Sequence, residues 1–434
     1  MRNPFTSPLW SNSAFVRVWT AASISIFGSL ITRIALPLVA ILTLNAGPIE
    51  VAVLRSMDLA AALIVGLVAG AWVDRLRRRP VLIWADLGRA ALLSVIPLSF
   101  VLGTLALWQL LAVAGLAAVL TTFFDAADNA YLPTIVERER LLEANSALAA
   151  SGSVAEFAGF GISGILVQLL TGPITIVINA VTYLVSAVLL LTVRHTEAPP
   201  PPREDREPVL DEIRHGLRVV RREPILRAFV ITSMVLAAMH GVNTAVWFVF
   251  ALTELGLDAA SMGIVAGIGG IASFVGAVLA QRTNARFGIG WMTIAAIVVV
   301  GVGYALVPIA PVGLPLMAIA CLAGQQVLTD LAETIFSVGE VSVRQTIVPD
   351  REQGRVAATF RVSIVAAQLL ATLAAGVLAE VIGLRLTATA APILALVGAL
   401  ILLRSPVRSI GALQRLDRRG PAEIVADVED GALP

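Results

Sequence analysis

Several ionisable side chains of this chain stand inside long apolar runs. There each costs about 2.5–3.5 kcal/mol at mid-bilayer on insertion scales, so each needs a partner or a task. Counted at about 1.5 Å per residue along the helices such runs must form, they fall into two layers. The first, near mid-membrane, holds Arg33, Glu156, His240 with Asn243 one turn on, Asp330 and Glu333. The second, nearer one surface, holds Asp74, Asp86, Arg89, Asp125, Asp128 and Arg361. An acid that neutralises inside a cavity can carry a proton. Asp330 and Glu333, at i and i+3, share a helix face, so their charges repel and one is disposed to hold a proton. Arg33 with Glu156 reads either as a fixed ion pair or as a transport pair. His240 is the one intramembrane histidine, a residue type that changes charge near neutral pH. A hydrogen-bonded packing role suits it as well. The second layer reads as a set of conformational latches. Trp247, Phe248 and Phe250, with Phe123, Phe124 and Phe274, could line an apolar cavity or face lipid.

The elements that must position these groups follow from composition. Of 434 residues, 58% are hydrophobic and 14% charged, with a mean hydropathy of +0.88. Soluble domains sit near ~45–50% and ~25%, so a soluble enzyme is excluded. The 31 basic residues, all arginine, balance 30 acidic ones, which gives no sign of nucleic-acid binding. Cys321 is the single cysteine and there are three scattered histidines, so no disulfide, metal cluster or nucleophile constellation is expected, and no cofactor. The N-terminal stretch lacks signal-peptide features, and the first apolar segment is expected to remain as a helix.

Twelve apolar runs are long enough to span, at about 17–44, 51–73, 81–102, 107–132, 145–170, 174–194, 226–254, 259–281, 291–309, 315–341, 357–381 and 385–403. Lipid cannot satisfy backbone polar groups, so these must be helices, giving an all-α integral membrane protein. Arginines cluster in alternate connections (Arg75, Arg77–Arg79, Arg138, Arg140, Arg282, Arg286, Arg344, Arg351 and Arg355), while the opposite connections hold only Arg385. The arginine-rich side is expected to be cytoplasmic, with both termini inside. The expected domains are a six-helix bundle over 1–194, a cytoplasmic linker over 195–224, a second bundle over 225–403, and a polar tail over 404–434. Within the linker, Ile213, Leu217 and Val220 fall at helical spacing among arginines, which predicts an amphipathic helix. The halves repeat: the Thr-Ile-Val triplet of Pro133–Leu148 recurs in Gln345–Phe360 at an offset of 212.

The most specific motif is Gly70-Ala71-Trp72-Val73-Asp74-Arg75-Leu76-Arg77-Arg78-Arg79-Pro80. Gly70 would let two helices approach closely, and Asp74 could cap a helix N-terminus. The loop resembles the G-x-x-x-D-R-x-x-R-R signature of the major facilitator superfamily. The second-half counterpart is degraded, with Ala280 in the acid's place. Phe27–Pro37, Asp86-Leu87-Gly88-Arg89-Ala90 and Asn145-Ser146-Ala147-Leu148 are similar to the macrolide-efflux and enterobactin-exporter branch. The resemblance covers about residues 15–403. It implies two six-helix bundles and alternating access. It also implies proton-driven export of a hydrophobic or amphiphilic small molecule by a monomer in a bacterial inner membrane. Gly70, Asp74, Arg75, Arg78 and Arg79, with Asp86, Arg89, Asp125, Asp128 and Arg361, would form its cytoplasmic gate. Two features depart from that pattern: Phe160 stands where a Gly-Pro kink is common, and helix 4 carries Asp125 and Asp128 instead of an arginine. An importer or lipid flippase of the same fold is the alternative, and a non-transporting receptor is the alternative from another class.

Overall fold

Asn12 starts the first helix by accepting hydrogen bonds from the backbone N–H groups of Ala14 (3.0 Å) and Phe15 (3.2 Å), as a helix cap should. That helix, α1, runs Ser13–Leu44 and stops at Asn45, whose φ of 54° is left-handed. In this computed structural model the described residues are 8–73, 75–195, 197 and 209–411, with side chains described for all of these except 67, 71 and 209–213. The helices that follow are α2 (Pro48–Ile64), α3 (Gly66–Val73), α4 (Arg78–Val101), α5 (Leu107–Ile135), α6 (Leu141–Leu170) and α7 (Gly172–Thr192). After them come α8 (Val209–Arg222), α9 (Pro224–Val249), α10 (Ala259–Phe287), α11 (Ile289–Ile309) and α12 (Pro315–Ile347). The last are α13 (Asp350–Ile382), α14 (Leu384–Ala388) and α15 (Ala390–Leu403).

Among the described residues, 11 helical stretches are long and apolar enough to cross a membrane, and α14 and α15 count as one of them. The pair α2 and α3 supplies a further crossing. Only Val65 separates them, and its N–H still bonds Ala61 O at 2.8 Å, so the ladder barely breaks. Exposed Leu98, Leu316 and Val381 are ordinary here, because lipid solvates apolar side chains. Three helices outrun their apolar windows by six residues or more, and the first, α10, runs on to Phe287 and takes Arg282 and Arg286 onto the helix. α12 and α13 extend to Ile347 and back to Asp350, so Arg344, Arg351 and Arg355 sit on helices and not in the loop the hydropathy suggested. The extensions of α12 and α13 are rich in Arg, Glu and Gln, all good helix formers, and the helix stops only around Pro349.

The chain divides into two compact units, one of residues 1–204 with 258–267, the other of 205–257 with 268–434. In the first, α1 packs on α6 and α7, and α4 packs on α5 and α7. The second uses the same scheme: α9 packs on α13 and α15, and α11 on α12 and α15. A buried cluster including Phe15, Leu82, Tyr131 and Leu190 forms part of the first unit's core. In the second unit α8 lies on α13 and α9. A Cβ at Gly216 would stand 2.5 Å from the main-chain oxygen of Arg355 and collide with Thr359, so only glycine lets α8 approach this closely. Val220 is buried in that contact and Leu217 stays exposed, while the side chain of Ile213 lies outside the described residues. The start of the polar tail is also ordered. It makes a 3-10 turn over Pro406–Ser409, and Ile410 O accepts from Gly290 N (3.1 Å) at the first turn of α11.

Candidate functional site

The mid-membrane polar residues of the second unit converge from three helices. α9 brings His240, α11 brings Tyr304 and α12 brings Glu333. His240 Nδ1 lies 3.1 Å from the Tyr304 hydroxyl and 3.3 Å from Glu333 Oε1, and the hydroxyl lies 3.4 Å from that same carboxylate oxygen. The His240 side chain is 45% exposed and Glu333 23%, whereas Tyr304 is 2% exposed, so the tyrosine is fixed while its partners can be reached. A tyrosine hydroxyl has one proton to donate. With a protonated imidazole, Nδ1–H donates to Glu333 and the hydroxyl can donate there too. With Nδ1 unprotonated, the hydroxyl can turn and donate to it. One proton thus changes the direction of a hydrogen bond linking three helices.

Asp330, one turn before Glu333, stands near enough for its charge to act on Tyr304. Its carboxylate presses on Gly269 of α10, where any Cβ would collide with Oδ2. Asp330 thus abuts α10, while its charge, with that of Glu333, also bears on Tyr304 of α11. Beside them runs a buried, fixed chain: Trp247 Nε1 donates to Gln325 Oε1 (3.1 Å), and Gln325 Nε2 donates to Thr329 Oγ1 (3.1 Å). Trp247 is thereby a packed, hydrogen-bonded residue, with Phe248 edge-on to it at 4.9 Å. Asn243 is half-buried, and no hydrogen bond between side chains brings it to the triad.

In the first unit, Arg33 and Glu156 are both exposed and no ion pair joins them. Two charged residues on α2 that the two-layer reading passed over belong at this level, Arg55 and Asp58. Arg55 Nη1 donates to the main-chain oxygen of Arg33 at 3.2 Å.

In the second layer one pair is buried. Asp86 and Arg89 pair with each other on α4 at 2.5 Å, with side-chain exposures of 0% and 2%. The Arg89 guanidinium lies between the rings of Phe124 and Tyr183, each centroid 4.2 Å away. Asp125 is exposed and Asp128 half-buried on α5, and Arg361 is exposed on α13. Asp74 lies outside the described residues. Gly70 is exposed, and a Cβ there would meet nothing within 4 Å, so the close approach expected of it is not made among the described residues. Arg75 is exposed, while Arg79 donates to the last carbonyls of α7, Leu190 (2.9 Å) and Leu191 (2.6 Å). Glu197, unnoticed in the sequence, accepts from the backbone N–H groups of Arg78 and Arg79, both at 2.7 Å, and so caps α4. In the second unit the analogous brace is Glu340 with Arg344, at 2.9 Å, and Arg344 lies over the Phe360 ring. The repeat offset could have revealed it, because the register that aligns the Thr-Ile-Val triplets carries Asp128 onto Glu340. Tyr304 had a fainter signal, a lone phenol in an otherwise apolar run.

The profile of the Major Facilitator Superfamily matches residues 18–325 and 239–426. The chain belongs to that superfamily. Among its relatives is a protein described as the multidrug efflux pump Tap of Mycolicibacterium fortuitum, 29% identical over 371 residues, covering 83% of this chain and 88% of the relative. The MFS-type transporter YfiS of Bacillus subtilis (strain 168) is 22% identical over 393 residues, covering 87% and 90%. Two solved superfamily folds superpose closely. A nucleoside transporter, NupG (D323A mutant), gives a TM-score of 0.74 at 14% identity over 90% of this chain and 98% of its own. A bacterial homologue of the iron transporter ferroportin in an inward-facing state gives 0.71 at 16% identity over 90% and 98%. The chain is accordingly an all-α, multi-pass membrane transporter of the superfamily.

Proposed function

We propose that this transporter exports hydrophobic or amphiphilic small molecules from the bacterial cytoplasm by alternating access, in exchange for protons. The observation that carries the reading is the His240–Tyr304–Glu333 triad, whose hydrogen-bond directions depend on one proton. Export is supported by the likeness to the efflux pump Tap. Glu333, with Asp330 beside it, is the coupling acid in preference to Glu156, which is exposed and has no ion-pair partner. In this reading Asp74, Arg75, Arg78, Asp125, Asp128 and Arg361 gate the cytoplasmic side, and Asp86, Arg89 and Arg79 brace it. The protein acts as a monomer in the inner membrane, with its termini, its 195–224 linker and its 404–434 tail in the cytoplasm.

The test uses inside-out proteoliposomes with an acid lumen and a panel of ethidium, rhodamine 123 and rhodamine 110, with a lumenal pH indicator. Dye should accumulate against its gradient while protons leave the lumen. Glu333→Gln should abolish the uphill phase and leave dye exchange between the two sides intact. Uphill export at the wild-type rate in Glu333→Gln and Asp330→Asn, singly and together, would transfer the coupling role to Glu156. Dye movement indifferent to collapse of the gradient would remove proton coupling. Dye binding without any flux would favour a receptor.

A further inference from the structure

The two arginines of the first unit pose a physical problem that the export reading leaves open. Arg33 lies about 16 Å from the C-terminal end of α1, and Arg55 about 10 Å from the N-terminal end of α2, at ~1.5 Å per residue. The hydrogen bond from Arg55 Nη1 to the main-chain oxygen of Arg33, at 3.2 Å, holds the two residues side by side. It occupies one of the N–H donors of Arg55 and none of those of Arg33. Each guanidinium has five such donors and keeps its charge. Among the described residues no carboxylate forms an ion pair with either residue. Asp58, one turn along α2 from Arg55, is exposed and makes no ion pair with it, and Glu156 is exposed and unpaired with Arg33.

Two like charges on neighbouring helices inside a bilayer repel each other and face a low-dielectric surrounding, so the arrangement calls for a counter-charge. Among the described residues Asp58 offsets part of the charge on Arg55 without pairing with it, which leaves the two guanidiniums with a net positive charge. Arg33 is exposed and Arg55 only half-buried, so an incoming group can reach both. Two planar forks side by side match the oxygens of a carboxylate, phosphate or sulfonate, which accept paired N–H bonds.

We propose that Arg33 and Arg55 form a binding site for the anionic group of the transported amphiphile. This rests on the export reading for its substrate and narrows that substrate's class to amphiphilic organic anions and zwitterions. A phospholipid headgroup carries the same chemistry, and lipid nanodiscs with and without an anionic lipid distinguish it from the transported molecule.

Rhodamine 110 and rhodamine 123 test the site, because they share a ring system and differ in a free carboxylic acid against its methyl ester. Binding is read by fluorescence anisotropy on the purified full chain, first in detergent and then in lipid nanodiscs. The wild type should hold the acid about tenfold more tightly than the ester, the scale of a charge-assisted hydrogen-bond pair. Arg33→Gln and Arg55→Gln should each remove that preference and leave ester binding unchanged, while Arg33→Lys and Arg55→Lys should retain part of it. Unchanged ester binding shows that the variants are folded. Equal or no binding of the acid by the wild type overturns the site, as does a preference kept in both glutamine variants. A preference that vanishes only in nanodiscs containing phosphatidylglycerol overturns the substrate assignment in favour of a lipid headgroup. The export reading fails separately: an intact acid preference with no proton-driven dye flux leaves the anion site standing and removes the exporter.

Discussion

Replacing Asp86 with asparagine should destabilise the protein more than replacing its partner Arg89 with methionine. The two side chains meet at 2.5 Å with exposures of 0% and 2%, so neither is screened by solvent. At that distance and an effective dielectric of ~20, their attraction is about 7 kcal/mol. Desolvation of the two ions opposes it by several kcal/mol each, and the intact pair contributes little net stability. Removing one partner leaves the other's desolvation uncompensated, at about 3–5 kcal/mol. The charge left by Asp86→Asn is a guanidinium, which cannot shed its proton; the flanking Phe124 and Tyr183 rings and the more distant carboxylates of Asp125 and Asp128 support it, but none of them replaces the direct pair. The charge left by Arg89→Met is a carboxyl, which a proton can neutralise, so the loss should fall to about 1–3 kcal/mol. The double variant Asp86→Leu/Arg89→Met should return to within about 1–2 kcal/mol of wild type, because two apolar side chains need no desolvation. Thermal challenge followed by size-exclusion chromatography in detergent measures all three. For a domain of this size about 3–5 kcal/mol is roughly 6–20 °C. Equal losses for the two single variants, or a double variant as unstable as Asp86→Asn, would refute the reasoning.

Gly216→Leu should undock α8 from α13, because the main-chain oxygen of Arg355 cannot move aside. An overpacking cost of about 1–3 kcal/mol should raise tryptic cutting after Arg218 or Arg221 about tenfold, with the rest of the fold intact; unchanged cutting would show the contact is dispensable. Arg385 stands on the side otherwise poor in arginine because it has a local task. It donates to Pro308 O (2.7 Å) and Ala310 O (3.0 Å) at the end of α11, and it pairs with Glu254 at 3.7 Å. Arg385→Met should cost about 1–3 kcal/mol and speed hydrogen exchange in the last turn of α11, with unchanged exchange arguing against the tie.

The one-dimensional properties of the chain were legible from its residues. Length and polarity of the apolar runs fixed where helices form, since a chain in lipid has no other way to satisfy its backbone. The signature loop pointed to the superfamily, and the place of each ionisable side chain along its helix followed from counting residues. Which of those side chains meet was not legible, because contact depends on the rotation of each helix about its axis, about 100° per residue, and on which neighbour it packs against. Glu333 and Asp330 share a face of α12, and only packing shows that Glu333 meets His240 and Tyr304 while Asp330 also abuts Gly269. Asp86 and Arg89 have the look of latch residues, and only the structure shows them paired with each other beside the rings of Phe124 and Tyr183. Arg33 and Glu156 share a depth without sharing a contact, while Arg55, from a helix where no charge was noted, reaches Arg33 instead. Depth is set along the chain, where sequence is explicit; azimuth is set by the packing of all the helices at once, which only the folded structure contains.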